Sequence, residues 1–109
     1  MIQLNVGGRK FDTSIPTLKA DPESILANLA EMDSSSRGRV HFLDRNPRYF
    51  DFVLDFLRNE NFNHKTLPSD KLALRQLYVE ADFYNLKGLK DAITRRVQSR
   101  DVPTGLWEE

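Results

Sequence analysis

The chain has 109 residues, 39% of them hydrophobic, with 16 Lys and Arg against 16 Asp and Glu and no cysteine. This length holds one domain with one ordinary core, and a formal charge of zero leaves no whole-molecule field to draw in nucleic acid or an anionic membrane. The missing cysteines exclude disulfides, thiolate nucleophiles and cysteine-ligated zinc, and they agree with a reducing compartment. With no signal-like leader at Met1 to Val6 and no apolar run approaching about 18 residues, a soluble cytoplasmic domain is expected.

Ile2, Leu4 and Val6 alternate with Gln3 and Asn5, the period of a half-buried strand, and Gly7-Gly8 then supplies a tight turn. Arg9 to Thr13 is expected to return as the hairpin partner, with Phe11 pointing inward and Asp12 and Thr13 left to the polar side or to a partner. Asp21 followed by Pro22 reads as the cap and first residue of a short helix carrying Ile25, Leu26 and Leu29 and ending near Met32. Asp33 to Gly38 is a loop by composition, and Val40 to Leu43 reads as a third strand.

A spine helix is expected from Pro47 with Asn46 as its cap, because Phe50, Val53, Leu54 and Leu57 share one face while Tyr49, Phe52 and Phe56 form a second stripe. Asn59 to Pro68 is polar and irregular. Ser69 then caps a helix carrying Leu74, Leu77, Tyr78 and Ala81, and a last helix from about Leu86 carries Leu89, Ile93 and Val97. The layout is α+β, with a small three-stranded sheet against a cluster of four to five helices. One domain over residues 1–100 is expected, followed by a tail or linker over 101–109 that begins near Pro103.

Leu4-Asn5-Val6-Gly7-Gly8 with Phe11, Thr13 and Thr17-Leu18 resembles the opening of potassium-channel tetramerisation domains, a branch of the BTB/POZ family. Phe42-Leu43-Asp44-Arg45-Asn46-Pro47-Arg48-Tyr49-Phe50 resembles the family's Asp-Arg-Asp-Pro signature, continued by Val53 to Arg58. Glu80-Ala81-Asp82-Phe83-Tyr84-Asn85-Leu86 resembles a third family block, Glu-Ala-Glu-Phe-Tyr. The blocks stand in family order across about residues 2 to 90. The resemblance implies a BTB/POZ fold and a homo-oligomeric ring of four or five copies. It further implies a protein-interaction role, either in a channel-free adaptor that presents substrates to a cullin-3 ubiquitin ligase or in the cytoplasmic domain that sets subunit assembly in a voltage-gated potassium channel.

The resemblance also implies interface positions. The family ring is built mainly from polar contacts, which marks Asp12, Thr13, Asp44, Arg45, Asn46, Glu80 and Asp82 as subunit-interface candidates. Asn46 replaces the second acid of the signature and removes a charge there. Asp44 and Arg45 serve equally as an internal capping and salt-bridge cluster. Phe62, between Asn61 and Asn63, is either core or a partner anchor. With Asn61 it is the candidate cullin contact, because the corresponding loop of the channel-free relatives is where a cullin scaffold is met.

No enzyme is indicated. Gly7-Gly8 lacks the Gly-Lys-Ser/Thr ending and the following helix of a phosphate loop, and Ser34-Ser35-Ser36 has no base at defined spacing. His41 and His64, the two histidines, do not fall in metal-ligand spacing, so no cofactor or metal is expected; the zinc site of one histidine and three cysteines found between subunits of several channel subfamilies is excluded. Arg95, Arg96 and Arg100 read as a solvated helix face beside Asp91 and Asp101.

Overall fold

The structure, a computed structural model, describes residues 1–32 and 40–99. Strand β1 (Ile2–Val6) buries Ile2, Leu4 and Val6 as the alternation requires. Gly7 and Gly8, both at positive φ (56° and 102°), turn the chain into β2 (Arg9–Thr13), a turn geometry that favours glycine. Asn5 Oδ1 accepts the Gly8 N–H at 2.8 Å and closes the hairpin.

The chain then crosses over through α1 (Ile15–Leu18) and α2 (Ile25–Met32) to β3 (Val40–Leu43), which runs parallel to β1. The sheet order is β2-β1-β3. Helix α1 was not evident from the sequence pattern. It is a single turn, capped by Ser14 Oγ accepting from the Thr17 N–H at 3.2 Å. Helix α2 begins later than the Asp21-Pro22 pair suggests. Asp21 folds onto its own turn, accepting from the Glu23 N–H, and Ser24 Oγ receives the Ala27 N–H at 3.1 Å in its place. Ile25 is consequently exposed while Leu26, Ala27 and Ala30 turn inward.

Helix α3 (Phe50–Arg58) also starts later than expected, at Phe50 rather than Pro47. Asn46 does not cap it: its Oδ1 accepts from the Arg48 N–H at 2.9 Å, a local turn that competes with helix entry. Its Phe50, Val53, Leu54 and Leu57 are buried, whereas Tyr49, Phe52 and Phe56 pack at the core margin. After a short 3₁₀ turn at His64–Thr66, α4 (Lys71–Phe83) is capped by Asp70, not Ser69; the Asp70 carboxylate accepts from the Ala73 N–H at 2.9 Å. Two adjacent capping residues compete there, and the carboxylate holds the helix N–H more strongly.

Asn85 separates α4 from α5 (Lys87–Val97) by adopting a left-handed φ of 59°. Leu86 N–H returns to the Ala81 carbonyl and Asn85 N–H to that of Asp82, the paired bonds of a helix stop with a left-handed residue. Asn85 Nδ2 also donates to the Glu23 carbonyl at 2.9 Å, and Ile25 N–H reaches the Tyr84 carbonyl, so α2 is bound to the α4–α5 corner. Leu74, Leu77, Ala81, Tyr84, Leu86, Leu89 and Ile93 are fully buried with the inner sheet residues in one core. Each such aliphatic side chain contributes roughly 1.5 to 3 kcal/mol by leaving water. Arg96 departs from the solvated face expected of it: it is buried and donates Nε to the Leu67 and Pro68 carbonyls, fastening α5 to the segment before α4. The expected loop at 33–38, the serine run within it, Arg100, Asp101 and the tail lie outside the described residues.

Candidate functional site

Two of the signature blocks meet at Arg45 and Glu80. The chain turns sharply after β3, with the Arg45 N–H donating to the Leu43 carbonyl at 2.8 Å, and the Arg45 carbonyl lies against Gly7. This places the guanidinium beside α4. Nε donates to Glu80 Oε1 at 3.0 Å and Nη2 to Oε2 at 2.9 Å, a two-point ion pair, while the guanidinium carbon sits 4.1 Å from the centre of the Phe83 ring. The pair is partly sheltered, with side-chain exposures of 27% for Arg45 and 11% for Glu80, so it is worth more than a surface bridge. The bond to Glu80 raises the Arg45 pKa above its ordinary value, which locks in the charge.

Tyr84 lies one residue beyond Phe83, fully buried and edge-on to Phe50 at 5.7 Å. Burial pushes its hydroxyl pKa upward, the Glu80 charge adds to this, and no group among the described residues hydrogen-bonds to it.

The remaining candidates separate. Asp82 pairs with Lys90 of α5 at 2.9 Å, a bond that raises the lysine pKa. Asp44 is exposed beside Arg45, and Asn46 is exposed with its side chain held by its own turn. Asp12 is exposed at the far end of the hairpin. Thr13 is only 7% exposed, against its expected place on the polar side, because pairing opposite Ile2 turns it to the core face. Since Ile2 pairs with Thr13 while Val6 pairs with Leu43, Asp12 and Thr13 stand a strand length from the Arg45 pair, roughly 13 Å at about 3.3 Å per residue. Lys90 as the partner of Asp82 could not be read from sequence, because the contact crosses the helix break at Asn85.

A second feature is a cleft of about 510 Å³ between α3, α5 and the turn before α2, lined by Phe56, Phe62, His64, Gly88, Asp91 and Arg95. Phe62 packs edge-on against Phe56 with ring centres 5.5 Å apart, so it joins the core margin on one side and faces the cleft on the other. Gly88 makes room for this arrangement: a Cβ there would meet Phe56 Cζ at 2.7 Å. Asn61 is exposed next to Phe62, its N–H bonded to Asn59 Oδ1. Among the described residues no three His, Asp or Glu side chains converge as a metal site needs, and no helix is long and apolar enough to cross a membrane.

The described residues form a small mixed sheet covered by helices, with polar side chains held at its rim. The BTB/POZ domain family model matches residues 2–93, and the chain belongs to that family, in its potassium-channel tetramerisation branch. The chain is 40% identical over 106 residues to the potassium channel regulatory protein of Mus musculus, 39% identical over 99 residues to the FH protein interacting protein FIP2 of Arabidopsis thaliana, and 33% identical over 108 residues to the BTB/POZ domain-containing protein KCTD5 of Homo sapiens. These matches cover 94%, 85% and 94% of this chain but 39%, 32% and 44% of the relatives, so the chain spans less than half the length of each. Domains of this type self-associate and act in protein interaction.

Proposed function

We propose that this domain is the assembly module of a cytoplasmic, non-catalytic adaptor, which gathers four or five copies into a ring and presents substrates to a cullin-3 ubiquitin ligase. Linking several substrate-binding regions on one ring raises avidity without any new contact. The observation that carries the reading is the joining of two signature blocks at Arg45 and Glu80, which fixes a polar rim where Asp44, Asn46 and Asp82 stand at the surface. Asp12, Asp44, Arg45, Asn46, Glu80 and Asp82 are the proposed interface set; Thr13, turned to the core face, is left out of it. Asn61 and Phe62, at the mouth of the cleft, are the proposed cullin contact. A second reading, the tetramerisation domain of a voltage-gated channel, rests on the family branch to which the chain belongs.

Light scattering coupled to size exclusion tests the assembly. Four copies of the 12.6 kDa chain give about 50 kDa and five about 63 kDa. A mass that stays at one copy across concentrations overturns the ring. Binding of the cullin-3 N-terminal region, weakened at least tenfold by Phe62→Ala with the ring mass unchanged, supports the adaptor. Intact binding by that variant removes Phe62 from the contact, and no binding by the native chain leaves the channel reading.

A further inference from the structure

The cleft beside Phe62 combines an aromatic wall with charges that have no partner inside the chain. Its volume of about 510 Å³ falls within the range of ligand pockets, roughly 300 to 1,000 Å³. Phe56 of α3 and Phe62 supply the wall, and Gly88 of α5 leaves it room, since a Cβ there would strike the tip of the Phe56 ring. The rim is open to solvent, with Pro22, Asn59, Glu60 and Asp91 exposed, so an extended chain can lie along it.

The charges that line the cleft are unequal. Asp21, Glu60 and Asp91 are its carboxylates and Arg95 its guanidinium, with His64 counted neutral. None of the four charged groups is in an ion pair among the described residues, although Asp91 and Arg95 stand four apart on α5, a spacing that allows one. Asp21 spends one oxygen on the Glu23 N–H and keeps its charge. Nearby charges that do not line the cleft nearly cancel. Lys19 and Lys90 are already paired with Glu31 and Asp82, and Arg96 is buried against the Leu67 and Pro68 carbonyls. Arg58, Lys65 and Lys87 are then set against Glu23 and Asp55. The lining therefore decides the sign, and it is negative.

Unpaired carboxylates bordering an aromatic surface suit a cation carried on an apolar stem: the ammonium or guanidinium meets the carboxylates while its methylenes lie along the rings. We propose that the cleft receives an extended peptide segment of a partner protein in which one lysine or arginine stands beside an apolar residue. The apolar side chain packs on Phe56 and Phe62, and the cation reaches Glu60 and Asp91. Arg95 repels a second cation at its end of the cleft, so a segment that is basic throughout fits less well. Phe62 is shared with the cullin contact proposed above, but this inference requires neither cullin nor a ring, because every lining residue belongs to one chain.

Selection of phage-displayed random peptides on the immobilised 109-residue chain tests this. The enriched peptides are expected to share a single lysine or arginine next to a leucine, phenylalanine or similar residue. The tightest of them, synthesised with a fluorescein label, is expected to bind at least tenfold more weakly to the double variant Glu60→Lys with Asp91→Lys; both residues are exposed, so the melting curve should not change. Asp91→Asn carries the same direction if the double variant does not fold. Gly88→Ala, which displaces the Phe56 ring and leaves every charge in place, is expected to weaken binding as well. No enriched peptide, enrichment of acidic or purely apolar peptides, or binding indifferent to both the charge reversal and Gly88→Ala overturns the proposal. Phenethylamine binding as tightly as the peptide also overturns it, making the cleft a site for small amines. Cullin is absent from the selection, so either result leaves the cullin contact to its own test.

Discussion

Arg45 and Glu80 stand 35 residues apart and meet through two parallel bonds of 3.0 and 2.9 Å, fixing the end of β3 to the third turn of α4. Neither β3 nor α4 needs the other for its internal hydrogen bonds, so this ion pair is a principal tie between the sheet rim and the helix. It also holds Phe83 beneath the guanidinium.

Arg45→Ala is therefore expected to act first on the fold. It leaves Glu80, 9% exposed, without its partner and should lower unfolding free energy by about 2 to 3 kcal/mol, less than a fully buried pair because Arg45 is partly solvated. The same variant should shift the assembly toward single copies. Replacing both residues by apolar ones, Arg45→Met with Glu80→Leu, should recover most of the stability in urea titrations without recovering the mass. Recovery of both would show the pair acting only inside the subunit.

Gly7 and Gly8 separate backbone conformation from space. A Cβ at Gly7 would run into the Arg45 carbonyl oxygen, whereas one at Gly8 finds no atom within 4 Å. Gly8→Ala should cost about 1 kcal/mol of conformational strain alone, and Gly7→Ala about 3 kcal/mol or more, because the Arg45 turn must move as well. Equal urea midpoints for the two variants would contradict the close approach.

Tyr84 should impose a loss of stability at alkaline pH. Burial raises its pKa from 10.0, so the folded chain holds the proton after the unfolded chain has released it. Below about pH 10 the residue adds no pH dependence; above it, stability falls by up to about 1.4 kcal/mol per pH unit. Tyr84→Phe should remove this slope and, since the hydroxyl is buried without a hydrogen-bond partner among the described residues, leave stability at pH 7 unchanged or raised. Urea titrations of both chains at pH 7 and pH 11 measure the difference, and parallel losses would show that Tyr84 is not its source.

The strands and the interior faces of the helices were legible because periodicity reports burial directly: Ile2, Leu4 and Val6, and Phe50, Val53, Leu54 and Leu57, all lie inside. Helix starts were less legible. At Asp21, Asn46 and Ser69 a capping residue type is present, yet Ser24, a turn and Asp70 respectively define the entry, since these side chains can bond to several nearby N–H groups. Within the site, motif resemblance pointed to Arg45 and Glu80 one by one, and only the fold shows that they satisfy each other. Thr13 lies on the core side, opposite Ile2, because the alternation that turns Phe11 inward and Asp12 outward continues one residue further, and a polar Thr next to a polar Asp masks that alternation in the sequence.

The parallel pairing of β1 with β3 sets an order of events as the chain leaves the ribosome. The β1–β2 hairpin closes through Gly7-Gly8 and is available within microseconds once residues 1–13 emerge, whereas the other edge of β1 waits for residues 40–43. Until then a hairpin carries an open edge that accepts a matching strand from any source. The bond from Gly7 N–H to the Leu43 carbonyl, made when a chain completes its own sheet, closes that window.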